Sequence, residues 1–234
     1  MNEIKTIRKL SLWIFFIPFV AINACLFIAV NHHFLEDTIF TVNQIGRSNF
    51  TLPYVDGGVS ISRVSRTFPQ YLIFKPAMFL TSIFLVIYWI NNNKLINKLN
   101  NTESVDYKFK TFGILSAIFL ILHSIFLGVK FDYQIYKLFR RIILLAFIIF
   151  EIIAQGMLVY YFFRFKNVLN KYSNSIILKL KLILVSILII VALLSIPILI
   201  TKGNVHFKHG LEWNYFVGVI FFYLLTRFFW KRTT

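Results

Sequence analysis

The chain has 234 residues, of which 58% are hydrophobic, 18% aromatic and only 15% charged, and its formal net charge is +16. Soluble domains carry roughly 25% charged residues, so this composition excludes both an ordinary soluble globule and a disordered chain. A lone cysteine, Cys25, excludes an intramolecular disulfide and a cysteine-based metal cluster.

The elements follow from long apolar runs, since crossing a ~30 Å hydrocarbon core takes about 20 mostly apolar residues in a helix. Lys5, Arg8 and Lys9 precede the first run, residues 10–30, which is too long for a secretory leader. An outer loop over residues 31–70 follows, carrying His32, His33, Glu36, Asp56, Arg63 and Arg66. The second span covers residues 71–90, with Lys75 just inside it. The third, residues 111–129, holds Gly113 and Ala117, a small-residue pair that suits close helix packing, and His123 in its outer half. Glu151 and Gln155, four apart and so on one helix face, lie inside the fourth span, residues 142–163. The fifth covers residues 182–200 and the sixth residues 211–230, with His206 and His209 before the sixth and Glu212 at its entry. These runs lack the period-two alternation of barrel strands. The expectation is one integral membrane domain over residues 1–234, an all-α polytopic transmembrane bundle of six spans.

Orientation rests on the positive-inside rule. The larger share of the 25 Lys and Arg residues falls on the side of the N-terminus, so both termini are expected in the cytoplasm. Trp13, Trp89, Trp213 and Trp230 fall near span ends, where interfacial indoles belong. The excess basic charge then answers to topology and anionic headgroups. No loop interleaves cations with stacking aromatics, so nucleic acid is not an expected partner.

Polar groups inside spans are costly and mark sites, which singles out His123, Glu151 and Gln155. His206-x-x-His209-x-x-Glu212 has the spacing of a ligand triad, but His206 is placed before the helix start and no fourth ligand follows. No metal or other cofactor is therefore expected, and Glu212 is read as favourable charge at a helix N-terminus. There is no Gly-x-Ser-x-Gly elbow and no Walker phosphate loop.

The outer loop reads Phe34-Leu35-Glu36-Asp37-Thr38, then Leu52-Pro53-Tyr54, Ser60-Ile61-Ser62 and Phe68-Pro69-Gln70-Tyr71. Leu122-His123, Tyr160-Tyr161-Phe162-Phe163-Arg164 and Leu211-Glu212-Trp213 follow in order. This succession resembles the FRAG/DRAM/SFK family of six-span membrane proteins, nearest to its branch that remodels the lipid of GPI anchors. Tyr54 and Tyr71 depart from the family pattern. The resemblance implies lipid handling or membrane-lipid homeostasis, accessory or lipid-binding rather than catalytic. Anionic headgroups are the expected partners, with Asp56, Arg63, Arg66 and Lys75 as the binding residues. One alternative is an acyltransferase-like remodelling enzyme, with His123 or His209 as general base and Glu212 or Asp56 orienting it. The other is an ion- or proton-coupled transporter working through Glu151. A homo-oligomer or another membrane-protein partner is left open. The location is the cytoplasmic membrane in a bacterium, or an endomembrane or plasma membrane in a eukaryote.

Overall fold

A computed structural model describes residues 2–100, 105–129, 134–201 and 203–231. Eight helices lie among these residues: α1 Asn2–Val30, α2 Ile61–Ser65, α3 Tyr71–Asn100, α4 Lys108–Phe126, α5 Gln134–Arg164, α6 Lys166–Leu169, α7 Ser175–Ile200 and α8 Val205–Phe229. Five of them (α1, α3, α4, α5 and α7) are long and apolar enough to cross a membrane. The last long helix, α8, is more polar because Glu212, Asn214, Tyr215, Tyr223 and Arg227 interrupt its apolar residues.

The six long helices close into a ring. α1 packs on α3, α3 on α4, α4 on α5, α5 on α7, α7 on α8, and α8 returns to α1. Gly113 of α4 makes one of these approaches possible, because a Cβ there would sit 2.3 Å from the Trp89 ring of α3. The expected small-residue contact is therefore a seat for an indole. Trp89, Trp213 and Trp230 are all fully buried and only Trp13 is exposed. Three of the four tryptophans are thus core anchors rather than an interfacial belt.

Most helices overrun the apolar runs. Helix α3 continues to Asn100, and its Asn93 and Asn97 side chains donate to Val105 O at 3.1 and 2.9 Å, tying down the start of α4. Helix α7 begins at Ser175, ahead of the expected residue 182, which carries Lys181 into the bundle. Helix α4 ends at Phe126, and Gly128, at φ +86°, turns the chain. At the same end as the α3–α4 connection, Asn174 N donates to Phe229 O at 2.8 Å and Lys231 N to Tyr172 O at 2.9 Å, clamping the end of α8 to the α6–α7 turn.

Residues 31–70 are ordered by two 3-10 turns, His32–Leu35 and Gln44–Gly46, and by α2. Ser60 caps α2, its hydroxyl accepting from Arg63 N at 3.2 Å.

Candidate functional site

The loop is stitched to the start of α8. His209 Nδ1 lies 3.0 Å from Gly57 O, Trp213 Nε1 donates to Val59 O at 2.8 Å, and Asn214 Nδ2 donates to Tyr54 O at 2.7 Å. The Glu212 carboxylate faces the backbone N–H groups of Ile61 and Ser62, the exposed donors of the first turn of α2. Tyr54 packs edge-on against Trp213 at 4.9 Å, and its hydroxyl donates to Asn23 Oδ1 of α1 at 2.9 Å. Gly57 permits the contact, since at φ +60° its Cβ would lie 1.8 Å from His206 O. Helix α8 starts at Val205, so His206 lies inside it, contrary to expectation. On the His206–His209–Glu212 face, His209 and Glu212 meet loop backbone, whereas His206 is exposed. The segments 52–54, 60–62 and 211–213, distant in sequence, form one contact surface.

Asp56 organises the tip of this loop. Its carboxylate accepts from Thr51 Oγ1 at 2.6 Å, Leu52 N at 2.8 Å and Gly58 N at 2.8 Å. These bonds, that from Thr51 foremost, hold its pKa below the usual carboxylate range. Asp56 is a loop brace and has no cation of the binding set beside it.

The four expected binding residues do not share one site. Arg66 and Lys75 line one small cleft of about 160 Å³ together with Tyr71 and residues 127–129. Gly128 packs there against the Arg66 carbonyl, where a Cβ would come to 2.7 Å. Lys75 Nζ lies 5.6 Å from the centre of the Tyr71 ring. Burial, then the nearby Arg140 and Arg63 charges, hold the Arg66 guanidinium below its ordinary pKa. Among the described residues neither Arg66 nor Lys75 has a carboxylate within ion-pair distance. Arg63 faces elsewhere, with Nε donating to Ile45 O at 3.1 Å. It lines a wider cleft of about 530 Å³ with His32, Arg47, Ser48, Asn49 and Thr51.

A second polar cluster is buried among α3, α4, α5, α7 and α8. Ser116 donates to Glu151 Oε2 at 2.5 Å, Gln155 Nε2 donates to Oε1 at 3.0 Å, and the Tyr223 hydroxyl donates to the same Oε1. Gln155 also reaches Val219 O at 3.2 Å. The Tyr223 ring meets Tyr88 edge-on at 5.0 Å, and the Tyr88 hydroxyl lies 3.4 Å from Thr226 Oγ1. Lys181 Nζ donates to that same oxygen at 2.8 Å. Its amine otherwise faces the rings of Phe222, Phe162 and Phe229, with centroids 3.9, 5.4 and 5.5 Å away. A buried acid and a buried amine thus stand on either side of a tyrosine pair.

Glu151 and Gln155 were legible as a pair in the sequence, and they bond to each other. Ser116, Tyr223, Thr226 and Lys181 were not singled out. Two lysines at the entry to α7, at positions 179 and 181, were the available signal for the last. His123 is only partly buried on α4 and is not a partner of Glu151; Ser116, two turns earlier, takes that place. His209 and Glu212, three apart on α8, each face a different piece of loop backbone. No family model, no curated protein and no solved structure matches this chain.

Proposed function

We propose that this multi-pass membrane protein handles lipids by holding an anionic headgroup at the outer boundary, in the cleft of Arg66 and Lys75. The observation that carries this reading is a half-buried guanidinium surrounded by other cations and without a described acidic partner. Such an arrangement is costly unless an anion joins it, and a phosphate can take two hydrogen bonds from one guanidinium. The cleft lies at the ends of α3 and α4, where a lipid phosphate would sit. Helix α8 serves as the sixth span: its 25 residues reach roughly 37 Å at 1.5 Å per residue, and it closes the ring between two helices that qualify as spans. Both termini then lie in the cytoplasm. Membership of the FRAG/DRAM/SFK family is part of the proposal, supported by the convergence of its separated loop motifs on the start of α8.

An accessory, lipid-binding role is favoured over acyl transfer because His123, His209 and Glu212 are not assembled around a common point. The test is lipid co-purification. Replacing Arg66 and Lys75 together with Gln should deplete one phosphate-bearing lipid from the purified protein, whereas Lys94→Gln with Lys98→Gln, at the opposite end of α3, should not. Equal depletion by both pairs would reduce the effect to general electrostatics and end the proposal. One observation favours a second reading, proton- or ion-coupled transport: the acid and amine buried in one core, Glu151 and Lys181.

A further inference from the structure

The turn that follows α1 gathers three metal-ligating side chains to which the sequence assigned no such role. His32 and His33 open the 3-10 turn His32–Leu35 and Glu36 ends it. Glu36 Oε1 lies 3.9 Å from His32 Nε2 and 3.4 Å from His33 Nδ1, and the three donor atoms all fall within 4.8 Å of one another. These separations exceed the ~2.7–3.2 Å of a direct N–H···O hydrogen bond. They are close to the edge of a coordination tetrahedron. With metal–ligand bonds of ~2.0–2.2 Å, neighbouring ligands stand roughly 3.3–3.6 Å apart. The two Glu36 distances come within about 0.3 Å of that range, and the imidazole nitrogens, within 4.8 Å of each other, close onto an ion by rotation of their side chains.

The groups behind the ligands point the same way. His32 Nδ1 lies 3.3 Å from Ala29 O. A carbonyl only accepts, so Nδ1 carries a proton, and in the neutral ring Nε2 is the nitrogen left to ligate on the Glu36 side. A backbone carbonyl holding the other ring nitrogen is the usual support of a metal-bound histidine. Arg47 Nη1 is 3.3 Å from Glu36 Oε1, and Arg47 Nε is anchored on Val42 O at 3.0 Å, which fixes the carboxylate. His32 and Arg47 also line the wider cleft, along with Ser48, Asn49 and Arg63.

We propose that His32, His33 and Glu36 bind Zn²⁺ at the outer face, with the fourth position open to that cleft. Two imidazoles and one carboxylate suit zinc, and three protein ligands leave one place for water or an anionic group. An anion there would also meet Arg47 and Arg63. This inference is independent of the lipid reading, which concerns a different cleft.

The experiment is metal titration of tag-free protein in detergent after chelator treatment. Zn²⁺ is followed by calorimetry and Co²⁺ by its visible spectrum. The expected result is one saturable Zn²⁺ per chain and the intense absorption of tetrahedral Co²⁺. Loss of an outer-shell partner already weakens metal sites by about 10–100-fold. His33→Ala and Glu36→Gln should therefore each weaken binding by about 100-fold or more, and Arg47→Gln by about 10-fold. His206→Ala should leave binding unchanged. Absence of saturable Zn²⁺ binding by the parent protein would overturn the assignment, as would undiminished binding in His33→Ala and Glu36→Gln. Because all these side chains lie on an outer turn, circular dichroism of the variants should match the parent.

Discussion

Lys181 offers a sharp test of how the bundle tolerates a buried amine. Its Nζ donates to Thr226 Oγ1 at 2.8 Å, and the aromatic rings around it accept no conventional hydrogen bond. Thr226→Val keeps the shape of the side chain and strands that donor. A stranded buried donor costs about 1–3 kcal/mol, and the continuing ring contacts argue for the middle of that range. Lys181→Met instead removes the donor and fills its volume. Thr226 still donates to Phe222 O at 2.9 Å, so nothing is stranded. Replacing a buried polar group by an apolar side chain of similar size is often neutral or stabilising, so Lys181→Met should stay within ~1 kcal/mol of the parent. In that background Thr226→Val still removes the 3.4 Å partner of the Tyr88 hydroxyl and should cost about 1 kcal/mol, giving a coupling of roughly 1 kcal/mol. The assay is reversible unfolding of micelle-embedded protein by SDS titration, with all four members of the cycle. Equal costs of Thr226→Val in both backgrounds would refute the stranded-donor argument. So would a Lys181→Met variant less stable than Thr226→Val.

Three further outcomes follow. Glu151→Gln should cost under ~1 kcal/mol, because its carbonyl can face Tyr223 while Ser116 turns to Gly113 O at 2.8 Å; Glu151→Leu, which strands Tyr223 and Gln155, should cost ~2–4 kcal/mol by the same SDS assay. Asp56 has a lowered folded pKa, so its bracing of the loop is fully present above the ordinary Asp value of about 3.9 and is lost as pH falls through the lower folded value. Amide exchange at Gly58 should report this loosening in acid, and Asp56→Asn should flatten its pH dependence. In a Cys25→Ser background, cysteines at Asn49 and Asn204 should react with an impermeant thiol reagent on intact cells while those at Asn100 and Asn167 should not; the reverse pattern would invert the proposed orientation.

Much of the candidate chemistry was only half legible in the residues. The spacing of Glu151 and Gln155 put them on one face, and their mutual bond at 3.0 Å follows from helical geometry alone. Their other partners come from α4 and α8, tens of residues away, and no periodicity links Ser116 to Tyr223. Arg63, Arg66 and Lys75 read as one cationic level, yet the brief turn of α2 sends Arg63 to one cleft and Arg66 to another. His209 and Glu212 read as a general base and its orienting carboxylate in the acyl-transfer alternative. In the fold both face the backbone of a loop whose path no local pattern predicts.

What the residues determined by themselves is the class: long uninterrupted apolar runs must satisfy their backbone groups as helices in a bilayer. They also determined the polar exceptions inside those runs, and the small residue that lets α3 and α4 approach. Only the tertiary structure decided which side of each helix faces inward, which tryptophans are core, and that Lys181 belongs to the bundle. The physical reason is that hydropathy measures transfer out of water. Lipid tails and a helix-bundle interior are about equally apolar, so a run such as α7 looks the same from every side until its neighbours are in place.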